Sequence, residues 1–426
     1  MAFDDVAGTP TRDLLVIGGG IAGLTAALEA ADAGCEVVLV EKTAFLGGRV
    51  ARAHQYFPKL CPPSCGLEIN FRRLRQHARV AVQTLTSVQS VTGGPGDYTV
   101  VLRHEPRYVT DACTACGDCV AACPTTRKSE AEYGWADTTP VALPPGLCFP
   151  AYYAIDRAAC PAGCQACVSA CRYRAIELDQ QPATSQVRVA AIVAATGWAP
   201  YDARRIDTLG FGRCANVITN VMMERLAARD GPTAGRIVRP SDRGTPRTVA
   251  FAQCAGSRDE NHLPYCSAVC CAATLKQASY VRAACPEAAV KIFYIDIRTP
   301  GRLEALYARM AADPAVELVK GKVARVDEDP ATRDVLIEVE EVLQGHKRRE
   351  RVDLLVLATG VVPQTDGLPT GFATDEFHFI TDAPARPGMF AAGCARQPAD
   401  VTTTVRDATG AALKALQCAV RSRRHG

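Results

Sequence analysis

The 426-residue chain has almost no net charge: 48 Lys and Arg stand against 45 Asp and Glu, leaving +3. That balance supplies no basic field to attract nucleic acid. Long apolar runs are also missing. No segment approaches the roughly eighteen consecutive apolar residues that span a bilayer, so no direct membrane span is expected. The first dozen residues hold two acids and lack the apolar stretch of a secretory signal, which points to a cytoplasmic chain. Seven histidines fall into no H-x-x-E-H or H-E-x-x-H grouping, so no mononuclear metal centre is indicated. There is no tandem repeat of the solenoid kind. Cysteine, by contrast, is abundant, with 20 residues. In a cytoplasmic chain, thiols at that density serve metal binding or catalysis before disulfide stapling. The remaining composition, 48% hydrophobic and 22% charged, is globular and long enough for about two or three domains.

Asp13–Ile17 reads as a buried strand running into Gly18-Gly19-Gly20-Ile21-Ala22-Gly23. An Ala-rich helical stretch, Leu24–Ala33, stops at Gly34, and Glu36–Glu41 is a second strand. This βαβ unit then gives way, between about Arg103 and Asp179, to turn-rich sequence holding nine cysteines. Strand-like sequence resumes at 187–194 and ends in Ala195-Thr196-Gly197. A second α/β cycle starts at Thr248 and runs through helices near 272–284 and 302–311 and a hairpin over 322–342. It closes on Ala358-Thr359-Gly360. The expected units are therefore 12–104 and 181–245 for a nucleotide-binding domain, 105–180 for an insert, 246–362 for a second Rossmann-like domain, and 363–426 for a return segment. The return segment ends in a helix and a basic tail, Arg421–Arg424.

Gly18, Gly20 and Gly23 form G-x-G-x-x-G between a strand and a helix. In that setting the glycines permit a tight turn, close approach of the backbone to a pyrophosphate, and close helix–strand packing. Glu41, followed by Lys42, stands where an acid would bind ribose hydroxyls. Gly47-Gly48-Arg49 follows, and the two Ala-Thr-Gly endings add Thr196, Gly197, Thr359 and Gly360 to the candidate cofactor-binding residues, with Gly393 in the return segment. These features resemble the two-dinucleotide-binding-domain flavoproteins, the thioredoxin-reductase-like group. The resemblance implies an α/β fold and FAD. Two departures stand out. The Gly-Asp of that group is Gly393-Cys394 here, so the flavin contact must be made differently, and a cluster-bearing scaffold without flavin chemistry is the alternative. The second α/β cycle has no glycine loop after its first strand, so nicotinamide binding is not expected there.

Cys113-x2-Cys116-x2-Cys119-x3-Cys123-Pro124 is the bacterial ferredoxin run, and Cys160-x3-Cys164-x2-Cys167-x3-Cys171 is its partner. Crossed ligation would give one 4Fe–4S cluster Cys113, Cys116, Cys119 and Cys171, and the other Cys160, Cys164, Cys167 and Cys123. Zinc knuckles are the competing use of such spacing. Cys254, Cys266, Cys270 and Cys271 form a third group, whose spacing fits a cluster or buried structural thiols equally well. Cys61 and Cys65, around Pro62-Pro63, read as buried or structural thiols, with a redox pair or cluster ligands as alternatives. Cys35, Cys148, Cys214, Cys285, Cys394 and Cys418 are isolated and read as core residues.

Taken together, the glycine fingerprint, the ferredoxin run and Cys254…Cys266-x3-Cys270-Cys271 resemble the A-type flavoprotein subunits of heterodisulfide reductases. The resemblance implies a third 4Fe–4S cluster on those last four cysteines. It also implies a place for Lys276 near the flavin N5, where the residue pattern alone reads as a solvated helix lysine. Two stretches, Tyr56–Asn70 and Cys254–Cys266, are similar to the A-type flavoprotein of the quinone-interacting membrane-bound oxidoreductases. That likeness covers nearly the whole chain, and the lack of a C-terminal ferredoxin extension agrees with it. The partners it implies are adenylylsulfate reductase, a B-type flavoprotein and a haem-bearing membrane subunit. The chain would then be membrane-associated only through those partners. A soluble heterodisulfide-reductase-like subunit in thiol–disulfide or sulfur-carrier chemistry, with or without electron bifurcation, is the alternative.

Overall fold

The computed structural model describes residues 9–57, 59–343, 345–381 and 387–425, the side chains of 422–425 excepted. Pro58 and the basic tail beyond Arg421 therefore lie outside the described side chains. Strand β1 (Thr11–Ile17), helix α1 (Ile21–Asp32) and strand β2 (Val37–Glu41) realise the expected βαβ unit. β1 runs parallel to β2 on one side and to Ala183–Ala194 on the other. Val80–Thr84 extends the sheet beyond β2, and Met389–Ala391 returns to pair with 192–194. The upstream half of Ala183–Ala194 instead pairs antiparallel with Asp97–His104, which forms a hairpin with Thr86–Gly94. Burial follows from the sequence: residues 14–17, 37–40 and 190–194 are apolar without alternation, as strands covered on both faces require. α1 and the long helix Val401–His425 cover one face through small side chains, among them Ala27, Ala31, Ala408, Ala412 and Ala415.

The second sheet runs in the order Val217–Thr219, Leu354–Thr359, Thr248–Ala255, Ala289–Tyr294, Val316–Glu328, Val335–Glu341, His346–Val352. Its first five strands are parallel and its last two extend it as antiparallel hairpins. An antiparallel ribbon, Trp198–Pro200 with Val361–Pro363, joins the two places where the chain leaves one sheet and enters the other. The boundary expected at 245/246 moves accordingly. Val217–Thr219 and the helix Asn220–Ala227 already belong to the second sheet, which a three-residue strand could not announce in sequence.

The insert is built from short ribbons and two short helices, Asp118–Ala121 and Ala166–Ala170, around Val109, Cys119, Val141, Ile155, Cys167 and Ile176. Two buried arginines tie it to the remainder. The Arg107 guanidinium donates to the carbonyls of Ala44, Tyr152 and Tyr153 at 2.7–3.0 Å. Arg225, 3% exposed, meets both carboxylate oxygens of Glu132, 5% exposed, at 3.1 Å. Removing Glu132 leaves the buried Arg225 guanidinium with only the partly exposed Asp230 carboxylate, 3.4 Å away. Glu132→Ala is expected to cost about 3–5 kcal/mol, read as a lowered melting temperature of the cofactor-loaded chain, whereas an exposed pair such as Arg72–Glu68 should be nearly neutral to truncation.

Candidate functional site

The turn after β1 is held by backbone contacts that admit no side chain. Gly18 has φ +107°, and a Cβ there would lie 2.4 Å from Ala195 O. At Gly23 it would lie 1.7 Å from Gly18 O, so α1 sits directly on the turn. Glu41 closes the loop from the end of β2: Gly19 N–H donates to Oε2 at 2.7 Å, and Thr43 N–H donates to Oε1 at 2.8 Å. Gly47 N–H donates to Gly19 O at 2.8 Å, which brings Gly48 against Gly20.

A cavity of about 530 Å³ opens over this turn, large enough for a dinucleotide. Gly18, Gly20, Glu41, Lys42, Gly48, Arg49, Thr196 and Gly197 all line it. The N-terminal end of Val401–His425 also faces it through Val401 and Thr404, with the Asp400 carboxylate accepting from Thr403 N–H at 2.7 Å. Two helix N-termini thus present amides and positive dipole ends to one cleft, as a pyrophosphate-bearing ligand requires. Gly23 and Gly393 shape this site from behind. The Gly393 N–H is held by Asp407 Oδ2 at 2.7 Å, and Asp407 also pairs with Arg396. Asp407 carries no sequence signal of its own. Cys394 is buried and lines the cleft, as one of the six isolated thiols.

Thr359 and Gly360 do not belong here. Their Ala-Thr-Gly ending repeats that at 195–197, but it closes the second sheet. There Thr359 Oγ1 donates to Asn220 Oδ1 at 2.8 Å, and Gly360 packs on Ser257 and Ser267.

A second cavity of about 160 Å³ shares Arg49, Val50, Arg52, Trp198, Arg225 and Val401 with the first. Lys276 lies on its wall, 4% exposed, so the solvated reading is excluded. Its ammonium donates to Gln55 O at 2.6 Å and pairs with Glu224 at 2.9 Å, beside the rings of Phe57 and Tyr280. Glu224 also accepts from His54 N–H, Gln277 Nε2 and the Tyr280 hydroxyl. Burial lowers the His54 pKa, and burial together with Glu224 raises that of Tyr280. Nothing in the sequence singled out Glu224, because an acid in a short helix normally faces solvent.

Among the cysteines, Cys113, Cys116, Cys119 and Cys171 line one small cavity, as the crossed pattern requires. Ala115 N–H donates to Cys113 Sγ and Ala175 N–H to Cys171 Sγ, both at 3.4 Å. Burial and the neighbouring Cys113 push the Cys119 thiol up to about 11. Cys160 and Cys164 both act on Cys167, placing that trio together, while Cys123 ends the turn after Asp118–Ala121. Among the described residues, no three Cys, His, Asp or Glu side chains converge on one point as a single metal ion requires.

The third group is gathered by tertiary structure. Cys254 sits at a bulge of its strand, and Cys270 and Cys271, 6% and 8% exposed, open the helix Cys270–Ala284. Cys254, Cys271 and Cys266 all raise the Cys270 thiol, after burial itself; burial and Cys271 bring Cys254 to about 11. Arg258 flanks Cys254 and Arg298 flanks Cys266, and both guanidinium groups pair with Asp296. Cys254, Arg258 and Ala268 have φ of 58°, 58° and 57°, left-handed conformations that cost a non-glycine residue about 1–2 kcal/mol each. Ala268 N–H donates to Cys266 Sγ at 3.4 Å. This is the same turn as Cys113-Thr114-Ala115, where Ala115 has φ of 56°. Two remote segments thus make one Cys-x-Ala turn, with the alanine N–H directed back at sulfur.

Cys61 and Cys65 are not the buried thiols expected. Cys65 is exposed, Cys61 is half-buried, and the two side chains face each other.

An FAD-dependent oxidoreductase family model matches residues 13–92, from β1 through α1 and β2 to the strand Thr86–Gly94. Over 419 residues, 94% of its length, the chain is 36% identical to the A-type iron–sulfur subunit of the CoB–CoM heterodisulfide reductase of Methanocaldococcus jannaschii, 63% of which it covers. Over 422 residues, 96% of its length, it is 34% identical to the A-type subunit of the ferredoxin/F420H2-dependent CoB–CoM heterodisulfide reductase of Methanosarcina acetivorans, 53% of which it covers. Over nearly its whole length the chain is similar to A-type heterodisulfide reductase subunits. It spans between half and two thirds of the length of these relatives. Its fold is that of thioredoxin reductase: the Lactococcus lactis enzyme superposes with a TM-score of 0.54 at 13% identity, covering 96% of this chain and 99% of that one. In this chain Gly23→Ala forces a methyl into Gly18 O. The overpacking is worth about 1–3 kcal/mol, so flavin affinity should fall by roughly tenfold, measured as bound FAD per chain across a flavin titration.

Proposed function

We propose that the chain is an electron-transfer subunit holding FAD in the larger cavity and three 4Fe–4S clusters. Two clusters belong to the ferredoxin insert, on Cys113, Cys116, Cys119 and Cys171 and on Cys160, Cys164, Cys167 and Cys123. The third is held by Cys254, Cys266, Cys270 and Cys271. The observation that carries this reading is the turn shared by Cys113–Ala115 and Cys266–Ala268, because it gives the third thiol group the local geometry of the ferredoxin loop.

Bound FAD would take up electrons in pairs and release them singly to the clusters, each of which carries one. The protein's own part is placement and charge. Gly18, Gly20 and the start of α1 cradle the pyrophosphate, Glu41 receives ribose hydroxyls, and Gly48 and Arg49 close the cleft over the turn. Lys276 supplies a buried positive charge on the adjoining wall, held in place by Glu224. Cys271 and Lys276 lie on one helix, about 8 Å apart along its axis at 1.5 Å per residue. Two of the four thiols of the third group, Cys270 and Cys271, and the Lys276 wall of the flavin region are therefore carried by one helix.

The finer assignment is to a complex of the quinone-interacting membrane-bound oxidoreductase type, connecting the menaquinone pool to adenylylsulfate reductase in dissimilatory sulfur metabolism. It is supported by the stretches Tyr56–Asn70 and Cys254–Cys266. In that assembly the partners are a B-type flavoprotein and a haem-bearing membrane subunit. The chain stays cytoplasmic and reaches the membrane only through them. Among the described residues no helix is long and apolar enough to cross a membrane. The second reading, a heterodisulfide-reductase-like role in thiol–disulfide or sulfur-carrier chemistry, is favoured by the identity of 34–36% to relatives of that name. Copurification of a membrane haem subunit supports the first, and activity without one supports the second.

Anaerobic quantification should find one FAD and about twelve irons per chain. Cys266→Ser should lose about four irons and keep the FAD, and Cys171→Ser should lose about four from the insert alone. Zinc in place of iron contradicts the assignment.

A further inference from the structure

Cys61 and Cys65 take no part in the sites above. The segment Cys61-Pro62-Pro63-Ser64-Cys65 bends back on itself, with Cys65 N–H donating to Pro62 O at 3.0 Å. Two consecutive prolines fix φ in that bend and limit the conformations the thiols can explore. Cys65 lies in the first turn of α2 (Ser64–Gln76) and is exposed. Cys61 lies just before the helix, tied to Tyr56 by Tyr56 N–H donating to Cys61 O at 3.0 Å, with the exposed Lys59 beside it. One thiol is exposed and the other half-buried, and each faces the other. That arrangement suits an attacking thiol and a resolving thiol. One turn along the same helix, Ile69 is 58% exposed and makes an apolar contact point next to Cys65.

We propose that Cys61 and Cys65 form a redox-active dithiol that exchanges with disulfides at the protein surface. The Cys65 thiolate attacks one sulfur of the incoming disulfide. That S–S bond breaks, a mixed disulfide forms and the first thiolate leaves. Cys61 then attacks the Cys65 sulfur, the mixed bond breaks, and the second thiolate leaves with a Cys61–Cys65 disulfide behind it. The substrate gains two electrons, the pair loses two, and the two cysteine protons pass to the two departing thiolates. The reverse reaction oxidises an incoming dithiol. Both low-molecular-weight and protein disulfides have the required bond, and Ile69 provides a contact that only a protein would use.

The test is anaerobic exchange on the cofactor-loaded full chain with two probes, glutathione disulfide and oxidised thioredoxin, read by alkylation and peptide mapping. The wild-type peptide containing residues 61–65 should interconvert between two free thiols and one internal disulfide as the dithiol/disulfide ratio of the buffer is varied. In Cys61→Ser the mixed disulfide on Cys65 should persist, because no second thiol resolves it. In Cys65→Ser it should be lost. Ile69→Asp should slow the thioredoxin arm and leave the glutathione arm unchanged if proteins are the substrates; equal rates in both arms assign the site to small disulfides. Two outcomes overturn the proposal: thiols that stay reduced against both probes, or a Cys61→Ser/Cys65→Ser double variant that loses bound metal, which would make the pair a ligand set. Neither depends on the iron count of the other twelve cysteines.

Discussion

Four thiols brought together, two buried and two half-buried, cannot all be thiolates unless a cation compensates them, because burial and mutual repulsion both favour the protonated form. Cys254, Cys266, Cys270 and Cys271 are held in that situation by three left-handed non-glycine residues and by the start of a 15-residue helix. Strained backbone of this kind persists only where the surroundings over-determine it, and it concentrates at functional sites. The nearby groups point the same way. The helix N-terminus, Arg258 and Arg298 each offer positive potential toward sulfur, while Asp296 anchors the arginines.

The second sheet keeps the strand order of a nucleotide-binding domain but lacks its glycine loop. Its strand Thr248–Ala255 therefore ends in Gln253-Cys254-Ala255 at a bulge, and the helix that follows begins with two cysteines instead of phosphate-facing amides. The carboxyl end of an inner parallel strand thus carries thiols in one sheet and a cradle for phosphate in the other. Helix Cys270–Ala284 connects the two chemistries, since its first turn carries thiols and its second turn carries Lys276 toward the cavity beside the cleft. Glu224 makes this possible. A buried lysine is costly unless paired, and Glu224 satisfies Lys276 together with three neutral donors.

Much of this was legible in the sequence, for local reasons. The glycine fingerprint and the ferredoxin run specify geometry within a few residues, so spacing alone fixes which backbone groups converge. The pairing of Cys171 with Cys113, Cys116 and Cys119 followed from the crossed pattern. Features that depend on distant segments were not legible. Lys276 sits on a helix whose buried residues run almost all the way round, Cys270 through Val281, so no polar stripe marked which face it occupies. The two Ala-Thr-Gly endings are identical in sequence, yet only 195–197 reaches the cleft, because the other closes a different sheet. Asp407 acts on Gly393 from another element, and Val217–Thr219 is too short a strand to read in advance. The sequence pattern of Cys61 and Cys65 reads as buried because a cysteine usually is, and the exposed helix start that overrides this tendency is a tertiary fact.

We propose that the flavin cleft and the third thiol group act as one electron-transfer unit through the helix Cys270–Ala284. Photoreduction of the flavin in the cofactor-loaded chain, followed by time-resolved absorbance of flavin and iron–sulfur bands, tests it directly. In the wild-type chain electrons should leave the flavin for the clusters. In Cys266→Ser, with its flavin retained and the ferredoxin insert intact, that transfer should stall. Transfer at an unchanged rate in Cys266→Ser would show that the third thiol group is not on the path, and would contradict the account.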